Sequence, residues 1–129
     1  MIELPNNYAL FKIPMKLVSE ANKSGHWSKH SKRHKQQKWL VTSFMAHYYP
    51  DKNLPCHVKM VRHSPRLLDT FENLPMSFKY VVDAISEYLT DIKRAGMADR
   101  DPRITWECSQ EKTTDKEHYI TIEICSEGS

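Results

Sequence analysis

The sequence predicts an α+β fold, a single small domain over residues 1–129 in which a mixed β-sheet packs on a long central helix. Three observations carry that prediction. Four short runs read as strands, two of them with strict alternation of apolar and polar residues. Between them Phe78, Val81, Val82, Ile85, Leu89 and Ile92 recur at spacings of three and four, the stripe of an amphipathic helix. A length of 129 residues allows one real core and is too short for two.

Taken in order, Tyr8-Ala9-Leu10-Phe11-Lys12-Ile13-Pro14 reads as a first strand ended by proline. From Asn22 to Lys38 the composition changes: six Lys or Arg, three His and no acid. This stretch is expected to be a loop running into a helix near Ser28, because Trp39, Leu40 and Phe44 then recur at helical spacing. Tyr48-Tyr49-Pro50-Asp51 closes that helix with turn chemistry. Cys56 to Arg62 forms a second strand, followed by a polar and acidic connection from Ser64 to Leu74. The long helix is expected from Pro75, tolerated in a first turn, to about Ala95, a length of roughly 30 Å. Lys93 and Arg94 suit its C-terminal dipole and Gly96 its cap. The tail reads as a hairpin: Ile104, Trp106 and Cys108 alternate on one strand, Ile120, Ile122 and Ile124 on the other, with the polar run Gln110–Lys116 between.

Apolar residues make up 40% and charged residues 27%, the balance of an ordinary globular chain. No run approaches the ~20 apolar residues of a membrane span. Met1 to Pro5 shows no basic region followed by an apolar core, so a cytoplasmic location is expected. Cys56, Cys108 and Cys125 are odd in number and form no Cys-x-x-Cys pair, which favours reduced thiols over a disulfide framework. The net charge of +3 conceals a division. Residues 1–66 hold 12 Lys or Arg against three acids, and residues 67–129 hold seven against 13. A polyanion-gripping surface beside a carboxylate site has that pattern, as does chance segregation of solvated charge.

Four carboxylates flank the predicted long helix, Asp69 and Glu72 before it, Asp99 and Asp101 after it. They meet only if the Asp99–Asp101 loop folds back along the helix. Converging acids need a cation, and oxygen-rich sites suit Mg²⁺ or Mn²⁺; acidic loops that merely face water are the plain alternative. Lys79 and Asp83, at i,i+4, form either an exposed ion pair or a phosphate contact at Lys79. His26, His30 and His34 have the spacing of a helical zinc face, but six neighbouring cations oppose a metal there. A DNA-binding arm of Lys23, His26, Trp27, Lys29, Lys32, Arg33, Lys35 and Lys38 fits better, cations for phosphate and rings for stacking. With only Gly25, Gly96 and Gly128, no glycine-rich phosphate loop is possible. No nucleophile triad stands out.

Three segments resemble the RusA-like Holliday junction resolvases (crossover junction endodeoxyribonucleases), particularly their phage members. They are Arg66-Leu67-Leu68-Asp69-Thr70-Phe71-Glu72-Asn73-Leu74, Lys79-Tyr80-Val81-Val82-Asp83-Ala84-Ile85, and Ala95-Gly96-Met97-Ala98-Asp99-Arg100-Asp101-Pro102-Arg103-Ile104. Asn22…His26-Trp27…Lys32-Arg33 upstream and Trp106-Glu107-Cys108-Ser109-Gln110-Glu111-Lys112 downstream extend the likeness over residues 22–112. The resemblance implies a homodimeric α+β endonuclease for branched DNA in recombination and repair, dependent on Mg²⁺ or Mn²⁺. It implies that Asp69, Glu72 and Asp101, with Asp99, hold the metal and that Lys79 contacts the scissile phosphate. The family's Asp-x-Asp-Asn appears here as Asp69-Thr70-Phe71-Glu72-Asn73, with one extra residue and Glu for Asp. One residue's shift in an extended segment turns a side chain to the opposite face. A non-catalytic DNA-binding module on the same scaffold is therefore the second expectation, and an RNA-binding protein a more distant one. Trp39, Phe44, Tyr48 and Tyr49 are candidates for a dimer interface, or for the core.

Overall fold

The structure, a computed structural model, describes residues 7–17, 27–71, 73–91 and 101–126. β1 (Tyr8–Ile13) turns Ala9, Phe11 and Ile13 inward and stops where Pro14 removes a ladder donor. β2 (Cys56–Ser64) turns Cys56, Val58 and Met60 inward, and β4 (Tyr119–Ser126) does the same with Ile120, Ile122 and Ile124. The three isoleucines are fully buried, each burial contributing roughly 1.5–3 kcal/mol. With β3 (Ile104–Lys112) they form one four-stranded sheet, order β1-β4-β2-β3. β4 is antiparallel to both its neighbours, and β2 and β3 are parallel. The chain is thus a small α+β domain with a mixed sheet, as its patterning predicts.

The expected tail hairpin does not form. β2 lies between β3 and β4, with Met60 opposite Cys108 on one side and Ile122 on the other. The segment joining β3 to β4 crosses one strand width, and Thr113 donates to the carbonyl of Ser64 at its start. Alternation fixes which face a strand buries but not its neighbour. β2, buried at six of its nine positions, takes a central place.

The long central helix also resolves differently. The segment contains α2 (Asn73–Ser77) and α3 (Lys79–Thr90), separated at Phe78. Phe78 has φ −91° and ψ 1° and its ring is buried, so packing of the ring wins over helical continuity. α3 ends at Asp91, whose φ of 59° is the left-handed conformation that stops a helix. The expected cap at Gly96 lies outside the described residues, as do Lys93 and Arg94. The longest helix is instead α1 (Trp27–Tyr48, 22 residues), which buries Gln37, Val41 and Met45 at intervals of four. None of the described helices is long and apolar enough to cross a membrane.

α1 and α3 pack on each other, and their buried residues join those of the strands in one core. The His34 ring stacks on Tyr80 with centroids 4.2 Å apart, and Lys38 pairs with Glu87. Tyr88 donates its hydroxyl to the carbonyl of Tyr49, joining the two helix ends. β1, β2 and β3 all run one way and both helices return. The C-terminal ends of three strands therefore share one end of the molecule with the starts of α1 and α3.

Candidate nucleic-acid interface

That shared end gathers cations from four places in the chain. Lys16 follows β1, Lys32, Arg33 and Lys35 lie in the first half of α1, Arg62 and Arg66 end β2, and Lys79 opens α3. The His118 imidazole, before β4, lies at the same end. Lys32, Lys35, Gln36, Trp39 and Ser43 form the solvent stripe of α1, at helical spacings of three and four. Trp39 is 70% exposed, so its ring stands in water four residues from Lys35 and seven from Lys32. A large exposed ring bordered by cations matches the needs of a nucleic acid strand: charge for phosphate and a flat face for a base. Beside the stripe, Lys16 and Arg33 line a cleft with Met15, Gln36, Gln37 and Leu40.

Of the expected DNA-binding arm, Lys23 and His26 lie outside the described residues. So do the side chains of Trp27 and Lys29, whose backbones begin α1. Lys32 and Lys35 are exposed, Arg33 is half-buried, and Lys38 is tied to Glu87. His34 gives its face to Tyr80. Tyr49 is buried and Phe44 stacks with Phe11, so these two belong to the packing, whereas Tyr48 stacks with Phe11 yet stays 46% exposed.

The carboxylates divide between two ends. Leu68 is clamped to β3 by the Gln110 side chain, which accepts from its N–H at 2.9 Å and donates to its carbonyl at 2.6 Å. Asp69 thus stands at the cationic end, where its carboxylate accepts from the N–H of Phe71 at 3.2 Å and from the Asn73 side-chain amide. This is an Asx turn that shapes the exposed loop before α2. Lys79 is exposed at the same end and lies over the Tyr80 ring. Asp101 is at the opposite end, ahead of Ile104. Its Oδ1 accepts from the backbone N–H and Nε of Arg103, both at 3.0 Å, and its Oδ2 from Nη2 at 2.7 Å. The Arg103 guanidinium holds the Asp101 carboxyl down at about 2. The Arg103 carbonyl in turn accepts the Cys56 N–H, so Asp101 organises the start of β2 and β3.

The residues holding Asp69 and those holding Asp101 are separated by six residues of β3, about 20 Å. The structure does not bring these two acids together. Glu72 and Asp99 lie outside the described residues. Among the described residues no group of three His, Cys, Asp or Glu stands close enough to hold a metal ion. The described donors therefore do not fit one Mg²⁺ or Mn²⁺ centre shared by Asp69 and Asp101, and no hydrolytic step follows from them.

Arg62, Lys16 and His118 escape a reading based on composition, because each is a single residue outside the dense basic run. Strand parity exposes Arg62: it occupies an inward position in register with Cys56, Val58 and Met60, where an apolar residue belongs. No protein-family model matches the chain, and no curated protein matches it.

Proposed function

We propose that this protein binds DNA containing unpaired or branched strands, with phosphates held by the cationic end and a base stacked on Trp39. The exposed Trp39 on the same helical stripe as Lys32 and Lys35 carries this reading. An indole in water costs solubility, and its neighbours supply charge for the backbone on either side of a stacked base. Stacking on such a ring is worth about 1–3 kcal/mol per base. The RusA-like resemblance supports branched DNA as the substrate class and a homodimer as the acting form, since a two-fold axis presents two identical sites to a symmetric junction. The test is fluorescence anisotropy with a four-way junction, a gapped duplex and a continuous duplex. Trp39→Ala should weaken the first two about tenfold and the third little; equal loss on all three contradicts the reading.

Metal-dependent junction cleavage is the second reading, favoured by the position of Asp69 in an exposed loop at the same end as Lys79. Asp69 and Glu72 would then form the metal site without Asp101. Incubation with a four-way junction with and without Mn²⁺, resolved on a denaturing gel, separates the two readings. Mn²⁺-dependent nicks lost in Asp69→Asn establish a nuclease; binding without nicks leaves a DNA-binding module.

A further inference from the structure

Arg62 is only 5% exposed, yet its guanidinium faces no carboxylate among the described residues. Nε donates to the Leu17 carbonyl at 3.3 Å and Nη1 to the Arg66 carbonyl at 2.7 Å. Arginine carries five N–H donors and stays protonated, so three donors and a whole charge lack a described partner. Buried charges are stable when paired, and this one borders a cavity of about 440 Å³. The cavity's described lining is Lys16, Leu17, Arg62, Pro65, Arg66, Leu68 and His118. Four of those residues are basic and none is acidic. The His118 ring is anchored through Nδ1 to Ser64 Oγ at 2.9 Å. Burial lowers its pKa first, and the charges of Lys16 and Arg62 lower it further.

We propose that this cavity is a phosphate-binding pocket, in which the Arg62 guanidinium meets a phosphate group while Lys16 and Arg66 close over it. The planar fork of arginine suits two phosphate oxygens at once, and a buried fork loses less to competing water. The cavity is large enough for a phosphate with its attached sugar. Lys16 also lines the cleft beside Arg33 and Gln36, so one side chain borders both the pocket and the α1 cleft. The phosphate comes from a DNA strand, a source that rests on the function proposed above, or from a free nucleotide; the phosphate chemistry is the same for both.

The probes are inorganic phosphate, a 5′-mononucleotide and a short 5′-hydroxyl oligonucleotide, each titrated at low salt while the NMR signals of His118 and the Arg62 Nε–H are followed. Arg62 is too buried for a clean substitution, so the variant is Lys16→Gln with Arg66→Gln, both side chains being exposed. Saturable shifts with inorganic phosphate or the mononucleotide, weakened at least about tenfold in the double variant, are expected once two charge-assisted contacts are removed. No saturable shift, or equal affinity in both proteins, overturns the pocket. Displacement of phosphate by the oligonucleotide assigns the pocket to a strand; displacement by the mononucleotide alone assigns it to a free nucleotide and leaves the pocket standing. Undiminished oligonucleotide binding with no shift at His118 refutes the pocket while the DNA reading stands. Phosphate binding without any oligonucleotide binding refutes the DNA reading and keeps the pocket.

Discussion

Trp39 and Met45 lie six residues apart on α1 and have opposite duties. Met45 is fully buried under the sheet, and Met45→Ala should cost about 2–5 kcal/mol through lost contacts and the cavity left behind. Trp39→Ala should change stability by less than about 0.5 kcal/mol, because the ring touches mostly water. Thermal melts of the two variants check both values, and a large loss for Trp39→Ala would mean that its ring is structural. Asp101 is the second case in which a single side chain decides something. Its carboxyl is depressed from 3.8 to about 2 by the Arg103 contacts. A depressed acid stabilises the fold above its unfolded pKa and loses that contribution as pH falls through the folded value. Asp101→Asn should therefore lower the melting temperature at pH 6, and the gap to the parent protein should close between pH 4 and pH 2. A gap constant across that range would refute the Arg103 pairing as the cause.

Helix ends and strand neighbours are where the elements depart from what their residues announce. The apolar stripe from Phe78 to Leu89 was legible, because it repeats every three to four residues. The break at Phe78 and the stop at Asp91 were not, since both are set by a buried ring and one left-handed residue. A left-handed residue with a Cβ costs roughly 1 kcal/mol that glycine avoids. Asp91→Gly should thus hold or raise stability, while Asp91→Val should lower it by about that amount or more; the reverse order in chemical denaturation would place the helix end elsewhere. The Lys52 contact to Asp91 is exposed and offsets little of this. Strand positions were legible from alternation, but the insertion of β2 between β3 and β4 depends on long-range pairing that no local pattern encodes. The same holds for the site. The basic run before Trp39 was plain in the composition. Arg62 and Lys16 join it only through the parallel course of β1 and β2.

At the scale of the whole molecule, the fold gathers cations that are scattered along the chain at one end. β1 and β2 deliver Lys16, Arg62 and Arg66 to the end where α1 and α3 begin. A cluster of cations attracts a polyanion before any close contact forms. The homodimer proposed for junction binding predicts a sedimenting species of twice the 15.2 kDa chain mass at tens of micromolar. Leu67 and Phe71, the latter 95% exposed, are apolar groups free to enter such an interface or to press on a base. A purely monomeric species would exclude the dimer without touching the DNA reading. The central claim, that the cationic end holds phosphates, is tested most directly by the salt dependence of junction binding. Each phosphate contact contributes about 0.9 to the slope of log affinity against log salt on duplex DNA. Lys32→Ala with Lys35→Ala should reduce that slope by close to two contacts' worth while leaving the melting temperature unchanged. A slope identical to that of the parent protein would contradict the account.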